Sequence, residues 1–281
     1  MLDAAMAELV DAQVSEACIA RCESSNLSGC TINWNRENYM QNIYETTYNL
    51  TTNYYDPYNH LSVQGALDLL QNIAARHAYT LGAGKEDLEK IGLFWVIART
   101  ELDFKSFPNT PVEVKVITWP TLPTRFYFDR FYKIIDLATN EIILVGRSRW
   151  VLVDTIKRRI ANTSLYQYPL ASYHQEILFT TDFARLEEPS EEVGTHIVRP
   201  SEIDENGHLN NSKYGNIIYD YLQLQSNEVI KNIVIFYNNE ALSGEKIILK
   251  KQSSNNKIAI SGHKTDTIIF NSEVTIKQWV D

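Results

Sequence analysis

The chain has 281 residues, of which 44% are hydrophobic and 22% are charged. Such a composition is typical of a globular protein with a buried core, and it excludes bulk disorder and a collagen-like chain. The formal net charge of −9 does not suit a general nucleic-acid binder. No apolar run approaches the ~18–20 residues that a membrane span needs, so we expect neither a nucleic-acid partner nor a membrane span.

The first 39 residues differ in character from the rest of the chain. They contain all three cysteines, Cys18, Cys22 and Cys30. We therefore expect no disulfide framework in the body and a reducing, cytoplasmic location. The segment lacks the basic start and apolar stretch of a secretory signal. Its phrase AELVDAQVSEACIARC resembles the peptide obtained when a transfer-RNA gene is translated. We expect residues 1–39 to be a non-native or disordered extension before a true start at Met40.

Regular elements begin shortly after this extension. Residues 43–56 alternate apolar and polar side chains, which predicts a half-buried strand. Apolar residues then recur with helical spacing from about Leu61 to Leu81, and Gly82 and Gly84 end the predicted helix. Four runs rich in β-branched and aromatic residues predict further strands over residues 93–104, 112–119, 126–135 and 141–154.

The same plan then starts again after a mixed segment with scattered charges and prolines. Residues 195–204 predict a strand, and an apolar stripe from Tyr214 to Leu222 predicts a second helix. Four more strands are predicted over residues 228–240, 245–251, 257–264 and 266–277.

A short repeated phrase marks the two halves as copies of one unit. Residues 56–61 and residues 204–209, 148 positions later, both spell D-x-x-x-H-L just before the predicted helix. A repeat of this length indicates a duplicated domain rather than a solenoid. We predict an α+β tandem double hotdog, in which an antiparallel sheet wraps around one long helix in each half. The predicted order is an N-terminal hotdog (40–160), a connector (161–190) and a C-terminal hotdog (191–281).

Familiar catalytic signatures are missing from the chain. It has no G-x-S-x-G elbow, no phosphate-binding P-loop, no G-x-G-x-x-G fingerprint and no H-E-x-x-H metal helix. The absence of these motifs argues against a serine hydrolase, a nucleoside triphosphatase and a dinucleotide-dependent enzyme.

The second copy of the repeated phrase has the residue types that thioester hydrolysis needs. Asp204, Asn206 and His208 occupy alternate positions in a loop that leads into a helix. A carboxylate, an amide and an imidazole can activate water and move protons, and the first N–H groups of a helix can stabilise an oxyanion. The alternative is a purely structural helix-capping loop with a buried histidine.

Several motifs together resemble one enzyme family. LFWVIARTELDF, FPNTPVEVKVITWP, GRSRWVLVDTIKRR and IDENGHLNNSKY occur in the order and at the spacing found in acyl-acyl-carrier-protein (acyl-ACP) thioesterases of plant plastids and bacteria. The resemblance extends over residues 44–281. It implies a double hotdog whose active residues lie in the C-terminal half.

The resemblance also implies a set of catalytic residues. Asp204, Asn206 and His208 match the family's catalytic loop, and Glu240 falls on a segment, IFYNNEALSGEKI, that supplies a further acid. Plant members have a cysteine after that acid, where this chain has Ala241, so water must be the nucleophile here. We expect Glu240 to be the general base, His208 to protonate the leaving thiolate, Asp204 to orient His208 or Asn206, and Asn206 to position the water or the carbonyl. The oxyanion would bind backbone N–H groups near the start of the following helix.

The resemblance implies hydrolysis of acyl-ACP to free fatty acid and holo-ACP, which terminates chain elongation. The alternatives are hydrolysis of an acyl-CoA or another pantetheine thioester, a hotdog dehydratase, and a non-catalytic acyl-binding module. The expected partner is an acyl carrier protein with its acyl-phosphopantetheine. No metal or organic cofactor is implied, and both a monomer and a homodimer remain open.

Two further features have a structural and a functional interpretation. The first-half copy of the phrase, with Asp56 and His60, lacks the matching asparagine, and we interpret it as a degenerate site retained for packing and substrate binding. Five basic residues lie close together in the sequence of this acidic chain. They either form solvated surface or bind an acidic carrier protein. They are Arg147, Arg149, Lys157, Arg158 and Arg159.

Overall fold

The computed structural model describes residues 42–108, 112–166, 168–170 and 172–279. The predicted extension over residues 1–39 lies outside the described residues. Within the described ranges, no helix combines the length and the apolar character needed to cross a bilayer.

The N-terminal half is a strand, two helices and four further strands. In chain order they are β1 (Tyr44–Leu50), α1 (Val63–Thr80), α2 (Lys85–Lys90), β2 (Leu93–Phe104), β3 (Val112–Pro120), β4 (Phe128–Asp136) and β5 (Ile142–Asp154). The side chain of Ser62 accepts the N–H of Gly65 and caps the start of α1. Strand β1 is shorter than predicted because the chain turns into a 3-10 helix at Thr52–Tyr54. Helix α2 was not predicted, and it buries Leu88.

The C-terminal half repeats this plan with one helix. In chain order its elements are β6 (Glu191–Ile197), α3 (Lys213–Leu222), β7 (Glu228–Tyr237), β8 (Lys246–Ser254), β9 (Lys257–Lys264) and β10 (Thr267–Gln278). Strand β6 ends earlier than the predicted strand over residues 195–204. The reason is a 3-10 turn at Pro200–Glu202, since proline has no N–H to donate to a strand partner.

Among the described residues, all ten strands belong to one antiparallel sheet. Its order is β1-β3-β4-β5-β2-β7-β10-β9-β8-β6, so the second half repeats the first in reverse. The halves meet where β2 pairs with β7, with Leu102 opposite Ile233. This arrangement confirms the predicted tandem double hotdog.

One apolar core lies between the sheet and the helices and continues across both halves. Ile73 of α1, Ile218 of α3 and Leu102 of β2 are fully buried in it. The two long helices meet at Gly215, where a Cβ atom would lie 2.8 Å from the backbone nitrogen of Gln64. Only glycine permits this close approach, which brings the start of α3 beside the start of α1.

Candidate active site

The loop before α3 is shaped by a carboxylate that accepts backbone N–H groups. Asp204 Oδ1 accepts the N–H of Asn206 at 2.8 Å and the N–H of His208 at 3.1 Å. The N–H of Asp204 donates in turn to the carbonyl of His208 at 2.8 Å. Gly207 has φ +84° at the tightest point, a value that favours glycine. Asp204 therefore sets the loop conformation that directs the His208 ring.

The same loop is tied to the segment that follows β7. The N–H of Leu209 donates to the carbonyl of Ala241 at 2.8 Å. Glu240, three residues beyond the end of β7, thereby lies beside the loop, and its Oε2 is 3.2 Å from His208 Nε2. The structure thus joins two of the four predicted site residues directly.

The other two predicted site residues, Asp204 and Asn206, contact each other within the loop. The amide Nδ2 of Asn206 lies 3.5 Å from Asp204 Oδ2, and the Asn206 side chain is exposed at the site. Asp204 contacts the backbone N–H of His208 and not its ring. The spacing of the two residues in the sequence does not distinguish these two kinds of contact.

A third residue reaches the predicted general base from the other half of the molecule. Arg158 Nη2 lies 2.9 Å from Glu240 Oε1 and 3.1 Å from Oε2. Its guanidinium also lies 5.3 Å from the centroid of the Phe94 ring. Arg158 donates to both carboxylate oxygens and His208 lies close to Oε2 alone, so Oε1 is the oxygen with fewer protein contacts and with room to accept a water molecule.

Most backbone N–H groups of the loop donate hydrogen bonds within the protein. From position 206 to position 213 every N–H donates to a partner except that of Asn211, as far as the described residues show. Helix α3 begins at Lys213, next to the predicted start at Tyr214. Of the N–H groups over positions 206–213, that of Asn211 is the one with no acceptor among the described residues.

A small cavity begins at this point. Asn211 and Ser212 form one wall, Tyr237 at the end of β7 forms another, and Leu70 of α1 and Ser148 of β5 close it deeper in the N-terminal half. The cavity therefore extends from the loop that carries His208 towards the first hotdog.

The first-half copy of the loop has the same backbone but a different partner. Asp56 Oδ1 accepts the N–H groups of Tyr58 and His60, both at 2.9 Å, and Asn59 has φ 71° in the place of Gly207. Three residues beyond β2, where the other half has Glu240, the chain has Phe107, whose ring centroid lies 5.4 Å from that of His60. An aromatic ring thus faces this histidine in place of an acid.

Two of the five clustered basic residues are buried. The Arg147 guanidinium pairs with Glu101 at 2.6 Å, and Arg149 pairs with Asp129 at 2.7 Å. Both guanidinium groups lie under the connector, 3.9 and 5.1 Å from the centroid of the Phe183 ring. The carrier-docking interpretation is wrong for these two arginines and applies only to the exposed turn over residues 157–159.

Comparison with known proteins gives a consistent picture. The family model for the acyl-ACP thioesterase N-terminal domain matches residues 41–164, and that for the C-terminal domain matches residues 186–278. A chloroplastic oleoyl-acyl carrier protein thioesterase of Coriandrum sativum is 25% identical over 197 residues, covering 64% of this chain and 51% of that protein. The chain thus spans about half the length of this relative.

Solved structures share the fold over most of the chain. An acyl-ACP thioesterase from Bacteroides thetaiotaomicron superimposes with a TM-score of 0.77 at 23% identity, covering 86% of this chain and all (100%) of that one. A 12:0-ACP thioesterase from Umbellularia californica superimposes with a TM-score of 0.71 at 18% identity, covering 85% and 98%. Since the two family models together match most of the chain in the family's own order, the chain belongs to the acyl-ACP thioesterase family.

Proposed function

We propose that this protein hydrolyses acyl-ACP thioesters to free fatty acid and holo-ACP and so terminates chain elongation. The observation that carries the proposal is the 3.2 Å contact between His208 Nε2 and Glu240 Oε2. An imidazole and a carboxylate from separate elements meet there, and the same loop carries Asn211, which lines a cavity and whose N–H has no acceptor among the described residues. Family membership supports the acyl-carrier substrate. The proposed location is the cytoplasm, in keeping with a body that has no cysteine after position 30.

In the proposed mechanism Glu240 acts as the general base. A water hydrogen-bonded to Oε1 gives its proton to the carboxylate while its oxygen attacks the thioester carbon. The negative charge that develops on the carbonyl oxygen is stabilised by the N–H of Asn211. The tetrahedral intermediate then releases the thiolate, which receives a proton from the Glu240–His208 pair. One acyl thioester and one water thus give one carboxylic acid and one thiol.

The remaining site residues position these groups. Asp204 holds the loop that carries His208 by accepting two of its N–H groups. Asn206, exposed at the same loop, is proposed to hold the water or the substrate carbonyl through its amide. Asp56 shapes the first-half loop in the same way, yet that loop faces Phe107. The proposal therefore assigns hydrolysis to the C-terminal half alone.

The test is hydrolysis of matched acyl-ACP and acyl-CoA panels, with free thiol and free fatty acid measured together. We expect both products in equal amounts, with higher kcat/KM on acyl-ACP. Glu240→Gln and His208→Ala should each lower kcat by about 10²–10⁴-fold. His60→Ala alters the equivalent histidine of the first-half loop and is the matched control, with kcat expected to stay near that of the wild type.

Other results would favour the alternative functions. Preferential hydrolysis of acyl-CoA would assign another pantetheine ester as the substrate. Loss of water from a 3-hydroxyacyl substrate without thiol release would identify a dehydratase, and binding without turnover would identify an acyl-binding module. Wild-type rates in both Glu240→Gln and His208→Ala would show that the site is wrong.

A further inference from the structure

The cavity beside the proposed catalytic loop has residues with polar groups in its wall. A saturated acyl chain would be bound best by a wholly apolar wall. Four residues that carry hydroxyls, Thr100, Tyr132, Ser148 and Tyr237, line it in addition to aliphatic residues from α1 and β2. Asn211, three residues after His208, and Tyr237, three residues before Glu240, both line the cavity, so it adjoins the loop and the strand end that carry the proposed catalytic pair.

The Ser148 and Tyr132 hydroxyls together have one hydrogen more than their contacts use. Ser148 Oγ accepts the indole N–H of Trp150 at 2.6 Å and shares a 2.7 Å hydrogen bond with the Tyr132 hydroxyl. Whichever hydroxyl donates in the second bond, the other keeps a hydrogen for which no described residue supplies an acceptor. The cluster therefore has a hydrogen-bond donor without a described partner, and both of its residues line the cavity.

Tyr237 provides a second donor. Its hydroxyl is buried and has no hydrogen-bond partner among the described residues, although Thr100 lies beside it. Burial raises the pKa of Tyr237 against an opposing effect of the neighbouring Thr100 hydroxyl and with a smaller raising contribution from Tyr132, so the group keeps its hydrogen. Buried polar groups in native proteins are normally paired, so two donors at one cavity indicate a ligand with an acceptor.

We propose, on the basis of the proposed thioesterase function, that this cavity selects acyl groups with an oxygen close to the thioester, such as a 3-hydroxy or 3-oxo group. A saturated chain would cover the hydroxyls of Tyr237 and the Ser148–Tyr132 pair without giving them an acceptor. An oxygen on the chain restores the hydrogen bonds that these groups lose when water leaves. Sites built to bind a substrate oxygen reject analogues that lack it.

The test compares octanoyl-ACP, 3-hydroxyoctanoyl-ACP and 3-oxooctanoyl-ACP. We expect the wild-type kcat/KM for the better oxygenated substrate to exceed that for octanoyl-ACP by about tenfold or more. Tyr237→Phe should lower this ratio about tenfold. The matched control is Tyr48→Phe, which removes another buried hydroxyl without a hydrogen-bond partner, outside the cavity, and should leave the ratio unchanged.

A binding measurement separates failure of this inference from failure of the proposed function. Calorimetry on the wild-type chain compares 3-hydroxyoctanoate with octanoate, and neither acid requires turnover. Tighter binding of the hydroxy acid that is lost in Tyr237→Phe supports the inference even if no thioester is hydrolysed. If Tyr237→Phe unfolds at a lower temperature than the wild type, Thr100→Val takes its place. Equal or weaker use of both oxygenated substrates, with equal binding of the two acids, overturns it.

Discussion

Arg158 and Glu240 are 82 positions apart, on different halves of the molecule, and one guanidinium nitrogen lies 2.9 and 3.1 Å from the two carboxylate oxygens. The arginine is on an exposed turn after β5, and the glutamate follows β7. The ion pair fixes the carboxylate beside His208. A residue of the N-terminal half thus holds the proposed general base by an ion pair.

Arg158→Gln should therefore lower kcat by up to about fivefold, since an exposed ion pair contributes up to about 1 kcal/mol to the orientation of its partners. Arg158→Lys should recover part of the loss, because it keeps the charge but not the position of the Nη2 donor. Steady-state kinetics on acyl-ACP provide the measurement. The matched control is Arg159→Gln, which removes the same charge from the same turn. An equal fall in kcat in both variants would contradict a specific action on Glu240.

The carboxylate of Asp204 is expected to act through loop geometry and not through its charge. Asp204→Asn keeps an oxygen that can accept the N–H groups of Asn206 and His208, so kcat should fall by less than about tenfold. Asp204→Ala removes both bonds, and kcat should fall well beyond that together with about 1–2 kcal/mol of unfolding free energy. Kinetics and thermal unfolding of the pair provide the measurement.

The first-half loop supplies the control for this prediction. Asp56→Ala removes the same two kinds of bond from the loop that carries His60. It should cost similar stability but leave kcat much closer to the wild-type value. A fall in kcat for Asp204→Asn as large as that for Glu240→Gln would instead make Asp204 a base.

The contact between α1 and α3 should tolerate no side chain at Gly215. A Cβ there would lie 2.8 Å from Gln64 N and 3.1 Å from Val63 Cγ1, so Gly215→Ala must push the helices apart. We expect a loss of about 1–3 kcal/mol in unfolding free energy. Denaturant unfolding measures it, with the exposed neighbour Asn216→Ala as a control that should be neutral. Wild-type stability in Gly215→Ala would mean that the helices do not pack this closely.

Stability should also decline in acid through a histidine away from the site. Burial lowers the pKa of His263, with a smaller contribution from Lys250 against the opposing effect of Glu188. The folded chain thus holds a neutral ring that gains a proton on unfolding as the pH falls below the ordinary histidine value of 6.5. The free energy of unfolding should decrease from pH 7.5 to pH 5.5, and His263→Gln should decrease less. Identical slopes in both proteins would contradict this assignment.

Much of the fold could be predicted because hydrophobic periodicity reports which face of each element is buried. Strand β2 and strand β9 have the predicted bounds, and α1 lies within the predicted helix. Errors occurred where local geometry outweighed the pattern. The chain turns away after β1 at Thr52–Tyr54, and α2 forms in a segment predicted only as the end of a helix.

The basic residues of β5 also show what the sequence pattern does not predict. Alternation along β5 indicates that Arg147 and Arg149 share a face, but not that the connector covers that face. The loop phrase predicts that Asp204 and His208 are neighbours, since they are four residues apart. It does not predict which atom of the aspartate contacts which part of the histidine, because that depends on backbone angles within the turn.

The sequence by itself determined the two-fold plan, the loop that holds His208, and the acid at position 240, because these follow from local pattern, repetition and family resemblance. Only the tertiary structure decided that Glu240 meets both His208 and Arg158, that no described residue accepts the N–H of Asn211, and that residues with hydroxyl groups line the adjoining cavity. The physical reason is the pairing of β2 with β7, which brings together groups that are far apart along the chain.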